Sequence, residues 1–262
     1  KHYIINNVQF NLDDRIKDFV QLTPRLDIFK AVLTSSESLS ESNPESFDYL
    51  RDKYNSNQFI GDIQTSMGDI ILAMENYRTA SGVLEELQKL NPDNSQILSD
   101  LAISYEKLGG IYEKMGELEQ ALKFYKDGSR LGEELHNTYP QDVSFKKDLA
   151  ISYSKLGGIY EKMGELEQAL KYYKDDAKLT EELHNTYPQD VSFKNGLAIS
   201  YSKLGGIYEK MGELEQALKY YKDDAKLTEE LHNTYPQDVS FKNGLAISYS
   251  KLGGIYEKMG EL

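Results

Sequence analysis

The chain contains no cysteine among its 262 residues. Disulfides, zinc–thiolate sites and thiol nucleophiles are therefore all excluded. A reducing, cytoplasmic compartment is compatible with that absence and is the expected location. No run approaches the roughly 18 apolar residues of a membrane-spanning helix, and no secretory leader is visible. The chain opens on Lys1 and not on methionine, so an upstream segment is expected. Basic residues are also in deficit, 30 against 43 acidic ones, for a formal charge of −13. That charge repels phosphate backbones and anionic lipid, which argues against nucleic acid or membrane as the partner. The sequence has no glycine-rich phosphate loop, no nucleophile-elbow motif and no acid–histidine cluster with metal-ligand spacing. Neither an enzyme nor a cofactor is expected.

What the sequence does contain is repetition. Leu149–Gly196 recurs unchanged as Leu197–Gly244, and Leu101–Asp148 is the same 48-residue unit with eight substitutions. Those substitutions are Glu106, Phe124, Gly128, Ser129, Arg130, Gly132, Lys147 and Asp148. A partial copy runs over Leu245–Leu262, and Pro44, Pro92, Pro140, Pro188 and Pro236 keep the same period. Gly61, Met67-Gly68, Ala73 and Tyr77 fall where Gly109, Met115-Gly116, Ala121 and Tyr125 recur. The expected organisation is a linker over 1–11, a half repeat over 12–44 and a diverged repeat over 45–100. Three near-identical repeats and a truncated fourth then fill 101–262.

Each unit predicts two helices. Phe193, Leu197, Tyr201, Leu204, Tyr208 and Met211 form one apolar stripe at helical spacing. Gly212 stops that helix at a position suited to the left-handed conformation. A second stripe, Leu214, Ala217, Leu218, Tyr221, Ala225, Thr228 and Leu231, ends at Asn233 and Pro236. Asp238 is the expected cap of the next helix. Tyr220 and Leu227 lie on another side, so the second helix is expected to touch two neighbours. Neither helix can bury its stripe alone, so the units must stack. At the carboxyl end the stripe Leu245, Tyr249, Leu252, Tyr256 and Met259 lacks a second helix. Self-association through that uncapped end is expected.

These residues resemble the tetratricopeptide repeat family. Tyr153, Leu156-Gly157, Tyr160, Ala169 and Tyr173 match its 34-residue signature, and Tyr201, Leu204-Gly205, Tyr208, Ala217 and Tyr221 match it again. Asp176 stands at the later small-residue position, and Pro188 comes seven residues late. The extra fourteen residues per unit are nearly four helical turns, enough to lengthen both helices while keeping their faces. The variant is similar to those of kinesin light chains, polarity adaptors and bacterial arrays fused to peptidase or signalling NTPase domains. The resemblance implies an all-α solenoid, a right-handed superhelix of stacked antiparallel helix pairs. It also implies a concave groove that binds a protein, peptide or helix.

Carried over from the family, the groove positions are Ile199, Ser202, Gly206, Glu209 and Lys210, with Asn195 one turn earlier. Equivalents are Ile151, Ser154, Gly158, Glu161 and Lys162, and Ile103, Glu106, Gly110, Glu113 and Lys114. They are either contacts over a Ser/Gly floor or tolerant surface residues copied by duplication. The lysine and asparagine with which some members clamp a terminal carboxylate are replaced here by Ser154 and Gly158, so a chaperone-tail receptor is not expected. Gly205 is expected at a close helix contact, and Gly206 at a groove floor or a bend. His136, His184 and His232 are one repeat apart, too far for one metal. Glu106 and Lys147 differ from the Ser and Asn of later copies, which points to ligand contacts concentrated in 45–150, or to drift between copies. Two other functions compete with the binding module: a spacer or self-assembling solenoid, and the regulatory arm of a larger enzyme.

Overall fold

The computed structural model describes residues 22–39 and 46–260. The expected linker over 1–11 and part of the half repeat lie outside the described residues. Two compact units make up the chain, residues 1–131 and 132–262, and each is described by itself. The described residues form ten helices and no strand. In the first unit these are α1 (Leu22–Leu39), α2 (Phe47–Met67), α3 (Ile70–Leu90) and α4 (Ser95–Lys114). Helix α5 (Leu118–Thr138) contains the boundary. The second unit continues with α6 (Val143–Met163), α7 (Leu166–Thr186), α8 (Val191–Lys210), α9 (Leu214–Thr234) and α10 (Val239–Met259). No described helix is long and apolar enough to cross a membrane.

Helix boundaries follow from local chemistry. Asp142, Asp190 and Asp238 cap α6, α8 and α10; the Asp190 carboxylate accepts from the Ser192 and Phe193 amides at 2.8 and 3.1 Å. Such a cap contributes about 1 kcal/mol relative to alanine. Every turn from a first to a second helix passes through a glycine with φ between 76° and 86°, Gly212 among them. The second helix does not end at Asn233. It runs on to Thr234, where the Tyr235 amide still reaches the Leu231 carbonyl. Tyr235 then packs against Phe241 at 5.8 Å, holding the proline turn onto the next helix.

Within a pair the helices are antiparallel. Going backward along α6, Glu161, Ser154 and Lys146 meet Tyr173, Asp176 and Glu182, going forward along α7. The tightest approach is at the glycine preceding the fully buried isoleucine turn. A β-carbon on Gly205 would lie 2.5 Å from the Tyr221 ring, and one on Gly157 equally close to Tyr173. In the first unit Gly61 and Tyr77 repeat this contact at 2.7 Å. Ring faces replace side chains here, so the absent β-carbon is what lets the helices close.

Two packing details differ from the sequence pattern. Ile159 and Ile207 lie off the expected stripe yet are wholly buried, at 0% exposure. The first helix is packed against its own second helix and also against the second helix of the preceding repeat, as α8 is with α9 and α7. It therefore buries a broader face than one stripe. The second helix does touch two neighbours, as α9 is packed against α8 and α10, but Tyr220 stacks on Tyr208 of its own repeat at 5.6 Å. Contacts to the following repeat pass through Thr228, whose hydroxyl donates to Ser248 at 3.3 Å.

Candidate partner groove

Five of the expected groove residues line one cavity of about 360 Å³ in the second unit: Lys147, Ile151 and Ser154 from α6, with Asn195 and Ile199 from α8. Ile151 and Ile199, which line it, are 41% and 48% exposed. Their i, i+3 and i, i+4 spacing from Ser154 and Asn195 puts them on the same helix faces as those polar residues. Leu183 and Phe193 continue the apolar wall.

The floor is not an open serine and glycine surface. Asp176, 3% exposed, projects from α7 between the two first helices. Its Oδ2 accepts from Ser154 Oγ on one side and Ser200 Oγ on the other, both at 3.0 Å. Thr180 donates to Ser200 at 3.3 Å. Lys203 donates to Ser154 Oγ; burial pushes its ammonium below the usual lysine range, and the Asp176 and Glu161 charges oppose that shift. Burial pushes the Asp176 carboxyl up to about 6, against the opposing hydrogen bonds from the serines and the lysine charge. Three helices are thus tied at one carboxylate. The sequence signal for it was the spacing Ala169, Tyr173, Asp176, Leu183, which places an acid in the buried register.

The same network recurs one repeat later. Ser248 donates to Asp224 at 2.9 Å and Lys251 donates to Ser202 at 2.6 Å. In the first unit the carboxylate has moved. Gly128 stands at the register of Asp176, and Glu106 at that of Ser154. A β-carbon on Gly128 would come within 3.4 Å of Glu106 Cγ. The nearer atom is the Ala102 carbonyl oxygen at 3.0 Å, and the two substituted positions face each other across the helix pair.

Further along the groove-facing side the charges pair with one another. Lys210 meets Glu161 at 2.7 Å and Lys258 meets Glu209 at 2.6 Å. Each glutamate also accepts from the buried tyrosine of its own repeat, Tyr173 at 2.5 Å and Tyr221 at 2.6 Å. Burial alone would raise the Glu161 carboxyl, but the bonds from Lys210 and Tyr173 hold it below the usual range. Glu113 accepts from Tyr125 in the same way in the first unit. A β-carbon on Gly158 or Gly206 would lie 3.7 Å from the tyrosine hydroxyl of its own repeat, at ordinary contact distance, and α8 runs unbroken through Gly205 and Gly206. Ile103, Glu106 and Gly110 are half-buried on α4 of the first unit, while Lys114 is exposed. No group of three or more acids and histidines that could hold a metal occurs among the described residues.

Stacked antiparallel helix pairs with a glycine–tyrosine closure define an α-solenoid. Models of the tetratricopeptide repeat match residues 102–131, 152–184 and 200–232. These three segments carry that family's repeat. BtubC (BKLC) from P. vanneervenii shares its fold at a TM-score of 0.69 and 17% identity, over 92% of this chain and 85% of that one. A Rap protein complexed with Competence and Sporulation Factor superposes with a TM-score of 0.55 at 16% identity, covering 98% of this chain and 67% of that one. A putative kinesin light chain from Podosopora anserina with nearly identical TPR-like repeats gives 0.54 at 12% identity, over 86% and 92%. At these identities the likeness is one of fold. Comparison with curated protein sequences finds no significant match.

Proposed function

We propose that the chain is a protein-interaction scaffold that holds a peptide or helical segment of another protein along the first-helix face of its second unit. The observation that carries this reading is the cavity between α6 and α8, flanked by the exposed Ile151 and Ile199. Exposed aliphatic side chains around a concavity gain free energy when a partner covers them, at about 25 cal/mol per Å² of apolar area. A further similar structure, YrrB (TM-score 0.50, 15% identity), is described as a TPR protein with an unusual peptide-binding site, which supports a peptide as ligand.

The spacer reading draws on the Lys210–Glu161 and Lys258–Glu209 pairs, which use up part of the groove charge between repeats. The two readings separate in one experiment. A displayed library of random peptides is selected against the chain, and the captured peptides are tested on an Ile151→Asp/Ile199→Asp variant. Both positions are exposed, so the helical circular dichroism is expected to stay unchanged while capture is lost. Capture undiminished by the double change would put the binding surface elsewhere.

A further inference from the structure

The register of the repeats relates two junctions that differ in a telling way. In the first unit Arg51 of α2 reaches Asp100 of α4, with Nη1 2.6 Å from Oδ2. Two repeats on, the position of Arg51 is Lys147 and the position of Asp100 is Gly196. The cation is kept and its carboxylate is gone. Gly196 lines the same cavity as Lys147, and a β-carbon there would meet nothing within 4 Å. Where the first unit carries its own acid, the second unit has open space beside an exposed lysine.

The next junction is a natural control. Moving every cavity-lining residue forward by one repeat leaves all of them identical except Lys147, which becomes Asn195. The position after it, Gly196 in one junction, is Gly244 in the other. The buried Asp176 and Asp224 networks match, and Lys203 and Lys251 are both turned onto a serine. One side chain therefore distinguishes two junctions whose lining residues are otherwise identical in sequence.

Resting on the groove reading above, we propose that the α6/α8 junction receives an acidic side chain of the partner segment, and that Lys147 selects it. The carboxylate occupies the space that Asp100 fills in the first unit, while aliphatic neighbours cover Ile151 and Ile199. The α8/α10 junction, with Asn195 in place of the lysine, accepts the same apolar residues without preference for charge.

The test uses capped nonapeptides, acetylated and amidated, with aliphatic residues flanking one position that is Glu, Gln or Lys. Binding to the whole chain is read by fluorescence anisotropy at low and high salt. The Glu peptide is expected to bind roughly fivefold more tightly than the Gln peptide, with the difference shrinking as salt rises, as for a partly exposed charge pair. Lys147→Asn should erase that preference, so that the Glu and Gln peptides bind alike. Gly196→Asp, which restores the internal acid of the first unit, should erase it too, and Gly196→Ala should not. A Glu preference that survives both Lys147→Asn and Gly196→Asp overturns the assignment while the groove reading stands. If no peptide binds the unmodified chain, the groove reading fails and this inference falls with it.

Discussion

The pairs α2/α3 and α6/α7 stand two repeats apart and solve one problem with different residues. Each has a tyrosine buried against a helical glycine, and its hydroxyl needs an acceptor. In α6/α7 Tyr173 donates to Glu161 at 2.5 Å, and Lys210 of the next repeat neutralises that glutamate. In α2/α3 Tyr77 donates to Asp62 at 2.5 Å, and Lys107 of the next repeat holds Asp62. Asp62 occupies the register of Gly158, one helical turn before that of Glu161, where Thr65 stands instead. The fold requires an acid and a cation near the tyrosine hydroxyl, and either turn of the helix can supply the acid. Divergence between the two regions has moved the groups and kept the contact.

If the glycine–tyrosine contact closes every pair, α8/α9 as well as α2/α3, breaking it should hurt the two alike. Gly205→Leu and the corresponding Gly61→Leu are expected to lose about 1–3 kcal/mol each, by forcing side-chain atoms into the facing ring. Apparent urea midpoints for the two variants check this. A loss at Gly205 with none at Gly61 would mean that the diverged pair is closed by something else.

A second test separates the Asp176 position from its glycine counterpart in the first unit. Burial raises the Asp176 carboxyl from its ordinary 3.8 to about 6, so the folded state keeps a proton that the unfolded chain releases. The stability this group contributes is present below its unfolded value and is lost as pH climbs through the folded one. Asp176→Asn removes that loss. Relative to the parent, the variant is expected to gain on the order of 2 kcal/mol between about pH 4 and pH 7. Gly128→Ala, at the same register with no carboxylate, should show no such pH dependence. Chemical denaturation at a series of pH values reads both.

Neighbouring glycines give a smaller and opposite effect. A β-carbon on Gly206 meets only the Tyr221 hydroxyl, at 3.7 Å. Gly206→Ala should therefore stabilise by up to about 1 kcal/mol through helix propensity, where Gly205→Ala destabilises. The smallest change is expected from Lys210→Ala. Its partner Glu161 keeps the Tyr173 bond, and a pair this exposed contributes about 0–1 kcal/mol.

Helix pairs, caps, glycine turns and the close contact at Gly205 were legible because each depends on residues near in sequence or on a fixed period. Asp238 caps where the pattern put it, and Asp190 and Asp142 do the same one and two repeats earlier. What the pattern hid was contact between repeats. Ile207 was left off the stripe because burial against a preceding helix has no local period. Ser154 read as an open floor because its partner, Asp176, lies on another helix 22 residues away. Glu106 read as a ligand contact or as drift between copies, because its approach to Gly128 is visible only when the two helices meet. Copying also obscured the signal, since identical repeats give functional and structural residues the same periodicity.

The account centres on one surface, the first-helix face of the second unit, and isoleucine methyl resonances report on it directly. In a chain labelled at isoleucine δ1-methyl groups and titrated with a selected peptide, Ile151 and Ile199 at the cavity mouth should shift strongly. Ile159 and Ile207, sealed between helices, should move little. Shifts that leave Ile151 and Ile199 in place and cluster on another face would contradict the account.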